Sequence, residues 1–472
     1  MKKAIIIFIS IIFFSSCSTL VDDLNNNPNS PTNASYQYIL TGAELGNTIL
    51  HSGEATRKTG IFCGYYTGLD RNHLGLSEYA VNTSNFNTQW NDVYVKTLVN
   101  AIATETAAEE EGITGVTIGI THILKAMALG TATSLWEDIP FDEAGYPEIE
   151  NPVFEDQLII YGKLQSMLDD AIIKLASGTG RPASGSDIHF DGNPVKWTEV
   201  AYTLKARYYM HVKDYANAYQ AALKGISSFE NNLKTPHGMA SENSNLNYQF
   251  FAIAVRQSDL VTSDLMTSLI APDALLSPDF SRYRGNDKTD ETSRYNYLFH
   301  ITEFGTQPNT VNGFAAQDEP THMITFRENL LILAEAGFRT VGFETGLTQL
   351  NVYRAFLASG GYFSNGGSNF KYDGYEATDF ETGGIENIDG LPLNDALLRE
   401  ILEERYISFF GQIEGFNDTR RTINETTVRV PVMPNTGEQL PQRFLYPTIE
   451  IDRNSNVPNP VPDFFSPTKV NQ

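Results

Sequence analysis

The chain has 472 residues, with 33 Lys+Arg against 57 Asp+Glu and only two cysteines. A net charge of −24 excludes general affinity for nucleic acid or anionic membrane surfaces, because both need a positive field. Two cysteines exclude a disulfide framework and a thiolate-rich metal site, while an aromatic content of 11% suits sugar or peptide recognition.

The chain opens on an address. Lys2 and Lys3 precede a run from Ala4 to Phe14 that is apolar except for Ser10, followed by Ser15, Ser16 and Cys17. Charge, apolar core and small residues read as a secretory signal over residues 1–16. A Cys directly after the small pair is the lipobox pattern, so Cys17 is the expected lipidation site and mature N-terminus. The acyl chain then supplies the membrane attachment, since no later stretch has 18 uninterrupted apolar residues. Asn and Pro density after Cys17 marks an extended tether over 17–35, leading into a single domain within 17–472. Cys63 is expected to be a small buried hydrophobe.

Helix signals then recur. Trp90, Val93, Tyr94, Leu98 and Ala101 share one helix face. Gly119–Leu135 and Gln157–Ala176 are the next two helices, and Asn193-Pro194 opens a fourth that runs to Tyr209. Lys213-Asp214-Tyr215 breaks it, and Ala216–Ile226 follows as its partner. That pair resembles a tetratricopeptide unit, with small residues where two helices cross. A second hairpin spans Met323–Phe338 and Thr345–Ala358, and a last helix spans Asn394–Phe410. The fold class is therefore mostly α, a tetratricopeptide-like hairpin scaffold beside a loop-rich half. Long irregular stretches at 177–193, 235–247, 272–320, 360–391 and from Val430 onward supply that half.

Catalytic signatures are missing from the sequence. No two of the eight His stand four apart on a helix, no strand-flanked Gly-x-Ser-x-Gly elbow occurs, and no Gly-Lys-Ser/Thr follows a glycine pair. Asp373 and Asp379 lack calcium-loop spacing. No cofactor or metal is implied. A carboxylate pair for glycoside hydrolysis remains the one enzymatic alternative.

Several segments in order carry a family resemblance. They are the Cys17 lipobox with Asp23-Leu24-Asn25-Asn26-Asn27-Pro28, Trp90-Asn91-Asp92-Val93-Tyr94, and Trp136-Glu137-Asp138-Ile139-Pro140. Leu204-Lys205-Ala206-Arg207, Leu331–Ala336, Glu403–Tyr406, Gly415–Arg421 and Arg443–Pro447 complete the series. Together they resemble the SusD/RagB family of outer-membrane nutrient-binding lipoproteins of Bacteroidetes. The resemblance implies a tetratricopeptide-like scaffold with a variable ligand face. It also implies a non-catalytic, surface-exposed lipoprotein that captures oligosaccharide, or in some branches peptide, for a SusC-like TonB-dependent transporter. Glu404, Arg405, Asp418, Arg420 and Arg421 are expected to form a buried ion network, and Arg443–Pro447 to pack the chain end.

The ligand site must come from the physics of sugar recognition, in which aromatic planes stack on rings beside polar side chains. The first cluster meeting that description is Gly64–His73, giving Tyr65, Tyr66, Asp70 and Arg71, with Tyr79 close behind. The competing reading has Tyr65 and Tyr66 end a helix and pack on the core. Arg294-Tyr295-Asn296-Tyr297 is second, giving Tyr295 and Tyr297, and its alternation equally suits a half-buried strand. A third group, Tyr362 to Tyr375, suits aromatic anchors of its own loop.

Overall fold

A computed structural model describes residues 35–425, 428–429 and 432–472. The signal segment 1–16, Cys17 and tether residues up to 34 lie outside the described residues.

Among the described residues the first element is a helix outside the predicted set, α1 (Tyr36–Ser52), followed by α2 (Glu54–Phe62), β1 (Tyr66–Gly68) and α3 (Arg71–Ser77). The helix around Trp90 is composite: α4 (Asn87–Asn91), a π-helical stretch Asp92–Leu98, then α5 (Val99–Glu110). Inside the wide turn Thr97 Oγ1 donates to Asp92 O at 2.8 Å. Next come α6 (Val116–Trp136), β2 (Ile139–Pro140), β3 (Phe154–Glu155), α7 (Gln157–Ala176), α8 (Pro194–His211) and α9 (Tyr215–Ala222). Side-chain caps start three of these helices. Asp156 accepts from Leu158 N at 2.9 Å, Asn193 from Val195 N at 3.0 Å and Asp214 from Asn217 N at 3.2 Å. Lys213 holds a φ of 61° at the turn between α8 and α9.

The second half alternates short strands with helices: β4 (Leu233–Thr235), β5 (Leu260–Thr262), α10 (Asp264–Ile270), α11 (Thr292–Leu298), β6 (Phe299–Thr302), β7 (Gly305–Pro308) and β8 (Thr321–Ile324). Helices α12 (Phe326–Thr340), α13 (Phe343–Ala358), α14 (Leu393–Ser408) and α15 (Glu414–Thr422) follow. Met323 is strand rather than helix. Residues 321–324 pair with β4, and Thr325 then caps α12 by accepting from Glu328 N at 3.2 Å. Four antiparallel two-stranded ladders, β1–β5, β2–β3, β4–β8 and β6–β7, occur among the described residues.

Consecutive helices stack neighbour on neighbour. α1 lies on the π-helical stretch and α5, α6 on α5 and α7, α7 on α8, α8 on α9, α9 on α12, and α12 on α13 and α14. Such an array buries one continuous face, and its main apolar core runs from Leu40 to Phe464. Close approach has a sequence cause at Gly130. The Tyr208 hydroxyl reaches over it to donate to Ala126 O at 2.6 Å, and a Cβ there would sit 2.1 Å from that oxygen. Helix α6 is apolar and long enough to cross a bilayer, yet it is buried inside the stack.

Charged residues are held inside in separate networks. Glu335 takes Arg421 at 2.6 Å, Arg339 at 2.8 Å and Arg405 at 3.1 Å, while Asp418 takes Arg405 and Arg421 at 2.8 Å each. Glu404 belongs elsewhere, with Arg284, Arg294 and Glu291. Arg420 pairs with no acid in this group; it donates to Gln442 O at 2.9 Å and to Asn417. The chain end straps the C-terminus of α6. Phe444 N donates to Leu135 O and Trp136 Nε1 to Leu445 O, at 2.8 and 2.9 Å.

Candidate functional site

Tyr65 and Tyr66 are core residues. Tyr65 is fully buried, tilted against Tyr406 with ring centroids 4.7 Å apart, and its hydroxyl donates to Tyr406 O at 2.6 Å. It fills the place where Gly415 has no side chain. Tyr66 is buried against Phe410. Tyr295 and Tyr297 are also buried, on helix α11 rather than a strand. Tyr297 donates to Glu319 Oε1 at 2.8 Å. Tyr65, Tyr66 and Tyr295 offer no face to a ligand, because the large apolar area of a ring is the strongest reason to bury it; Tyr297, also buried, lines a small cavity with Arg327 and Tyr362. Tyr362, Phe363, Tyr372 and Tyr375 are buried as well and anchor their loop; Tyr372 donates to Glu291 at 2.8 Å, and Arg354 lies 3.7 Å over the Tyr375 ring.

None of the other three candidates lines the adjacent cleft, and only Tyr79 touches its wall. Asp70 caps α3, accepting from Arg71 N at 2.8 Å. Arg71 is about half exposed and reaches Asp259 at 2.7 Å. Tyr79 packs on Phe62, Phe464 and Phe465, and its hydroxyl accepts from Asn435 N at 3.0 Å. That bond fixes the segment 433–435, which forms one wall.

The cleft measures about 410 Å³ and is lined by Gly64, Thr67, the first turns of α10, the residues Pro278, Asp279 and Arg282, and Met433–Asn435; Phe280 lies on the same turn but outside the lining. Its floor is set by backbone geometry. β1 pairs with β5, Ser263 N donates to Tyr65 O at 2.9 Å, and Gly64 turns the chain at a φ of 76° under Val432 and the Tyr406 hydroxyl. Only glycine accepts that φ without strain. The opposite wall is tied to α10 by Asp279 N donating to Ser268 Oγ at 3.0 Å.

The residues best suited to a ligand sit on that turn. Phe280 is 43% exposed and stacks on Tyr283 with centroids 5.3 Å apart and planes within 11°. Tyr283 is fixed in turn, its hydroxyl accepting from Glu291 N at 3.3 Å. Asp279 pairs with Arg282 at 3.1 Å, and the Ser281 hydroxyl bond, with Arg282 behind it, holds the Asp279 carboxyl below the usual range. An exposed aromatic face beside a carboxylate, a guanidinium, Asp264, Thr67 and Asn435 can stack on a sugar ring and hydrogen-bond its hydroxyls. This turn lies in the stretch 272–320. Its signal was legible as Asp279-Phe280-Ser281-Arg282-Tyr283 between Pro278 and Gly285, an aromatic pair among charges in a loop. A second cleft of about 370 Å³ lies near the other face of Met433 and Pro434, beside Arg429, Glu438 and Phe465. Among the described residues no three His, Cys, Asp or Glu gather as a metal site.

A family model, SusD-like, described as "Starch-binding associating with outer membrane", matches residues 28–447. Among solved structures, a SusD/RagB family protein from Bacteroides thetaiotaomicron has 21% identity and a TM-score of 0.67, over 90% of this chain and 95% of that one. A chitin-binding SusD homolog from Flavobacterium johnsoniae has 16% identity and a TM-score of 0.67, over 93% and 98%. A SusD homolog from Bacteroides fragilis has 18% identity and a TM-score of 0.66, over 93% and 100%. No curated protein matches the chain.

Proposed function

The chain belongs to the SusD-like family, and from that premise we propose that it is a non-catalytic surface lipoprotein which captures an oligosaccharide in the cleft beside Phe280. The bound glycan passes to a SusC-like TonB-dependent transporter in the same outer membrane, with acyl attachment at Cys17. One observation carries the placement: the stacked, partly exposed Phe280–Tyr283 pair is on the same turn as Asp279 and Arg282, which line a cleft of about 410 Å³ together with Asp264 and Asn435. The family's description as starch-binding and the chitin-binding relative support a glycan rather than a peptide. A flat ring face also suits a sugar, whereas peptide capture by strand addition would use an exposed sheet edge.

The test is isothermal titration of the full chain in detergent with malto- and chito-oligosaccharides and with mixed peptides, alongside Phe280→Ala and Arg282→Ala. Reducing ends are assayed in parallel. The reading expects a glycan that binds uncleaved and is lost or weakened in both variants. Peptide binding without glycan binding overturns the sugar assignment. Turnover abolished by changing one carboxylate overturns the non-catalytic one. Glycan binding that survives both variants moves the site.

A further inference from the structure

A second site lies at the seam between the helical stack and the loops. The end of α1, Asn245 and Asn247, Tyr297 on α11, Phe314, the segment Pro320–His322, Arg327 at the start of α12, Tyr362 and the turn at Gly411–Gln412 enclose a cavity of about 30 Å³. That is room for roughly two waters or one small head group. Three lining side chains bring buried polar atoms that have no hydrogen-bond partner: Arg327 Nε, Tyr362 Oη and Gln412 Oε1. Their residues are 8%, 6% and 7% exposed.

Arg327 is the unusual member. Its guanidinium lies over the Tyr362 ring at 4.2 Å, which covers one face and leaves the in-plane N–H donors unused. Its neighbour Glu328 is taken by Arg207 at 2.6 and 2.7 Å, and no described carboxylate pairs with Arg327. Arg207, Arg284, Arg294, Arg405 and Arg421 all hold buried carboxylates. Arg420, also buried without a carboxylate, donates instead to Gln442 O and Asn417, whereas the Arg327 guanidinium has no acceptor among the described residues; since a guanidinium keeps its proton in a protein, it calls for one, and an anion serves best. The other titratable groups on the cavity wall do not compete. Burial holds His51 down to about 4 and His322 down to about 3, with Arg327 adding to the second, so both imidazoles are neutral. Glu319 stands nearby but is engaged by the Tyr297 hydroxyl and is not part of the lining.

We propose that this cavity binds one carboxylate, held by the Arg327 guanidinium and the Tyr362 hydroxyl, with Gln412 Oε1 accepting from a hydroxyl on the adjacent carbon. A space of about 30 Å³ limits the occupant to a small free hydroxy acid such as glycolate and is too small for a hexuronate. The site stands apart from the Phe280 cleft and does not depend on it.

The test titrates the full chain with glycolate, with glucuronate and with glucose, in the wild type, Arg327→Gln and Tyr362→Phe. Glycolate binds the wild type, and glucuronate and glucose do not. Arg327→Gln lowers the glycolate affinity by roughly tenfold or more and Tyr362→Phe by about threefold, as expected for charge-assisted and neutral hydrogen bonds. Glucuronate that binds and is displaced by glycolate overturns the small-acid assignment. If Arg327→Gln fails to fold, the wild-type His322 ring is followed by NMR, and its pKa must rise when the acid binds. Absence of glycolate binding, unchanged affinity in Arg327→Gln, or an unmoved His322 overturns the proposal.

Discussion

Replacing Tyr65 by Phe separates a core residue from a sugar platform. The Tyr65 hydroxyl donates at 2.6 Å to the carbonyl of Tyr406, in the last turn of α14. Carbonyls in the last turn lack intrahelical donors. Phe410 N bonds Ile407 O instead, at 3.2 Å, so the tyrosine serves as the cap. Tyr65→Phe keeps the ring and leaves a buried carbonyl unpaired, which costs about 1–3 kcal/mol. Tyr65→Ala adds a cavity among Tyr406 and Phe410 and costs about 3–5 kcal/mol. Urea unfolding measures both. Glycan titration of Tyr65→Phe is expected to match the wild type, because the ring faces no solvent. Wild-type stability together with lost glycan binding would refute this account of Tyr65.

Phe280→Ala is expected to weaken glycan binding by about three- to tenfold, from loss of a stacking face, with unchanged urea unfolding since the ring is largely outside the core. Glu404 gives a pH dependence. Burial pushes its carboxyl up, but Arg284 and Arg294 outweigh that and hold it down to about 2. Its stabilising contribution is therefore complete above the ordinary value of 4.5 and is lost as pH falls from there toward 2. Unfolding measured across that range should flatten in Glu404→Gln, which also loses stability at neutral pH. Gly130→Ala should destabilise by about 1–3 kcal/mol through overpacking against Tyr208, read by thermal unfolding; an unchanged midpoint would show that α6 and α8 separate freely.

Much of the scaffold was readable locally. Gln157–Ala176 carries an uninterrupted apolar stripe behind the cap Asp156, and Asn193-Pro194 is a helix start by its own chemistry, so these bounds hold without tertiary help. Helix α1 was harder: its core face includes Glu44, Asn47, Thr48 and His51, polar residues whose burial depends on partners far along the chain. Met323 was misplaced for a similar reason, since β4 lies about ninety residues upstream. The four residues from Arg294 to Tyr297 alternate as a strand would, yet they are helical, with Tyr295 packed on Phe299 and Tyr297 on Tyr362.

The family resemblance, the helical class and the charged motifs follow from residue order alone, because caps, stripes and acid–base spacing act within a few turns. The fate of each tyrosine was decided in three dimensions. Tyr65 and Tyr66 stand beside Gly64 and Thr67, which line the cleft, yet they turn inward because Gly415 leaves a hole and Tyr406 offers a carbonyl, both some 340 residues later. Phe280 stays outside because its own loop is pinned at Ser268 with one ring face already covered by Tyr283. Burial is a property of distant neighbours, and an aromatic residue beside a charge carries no local mark of which side it will face.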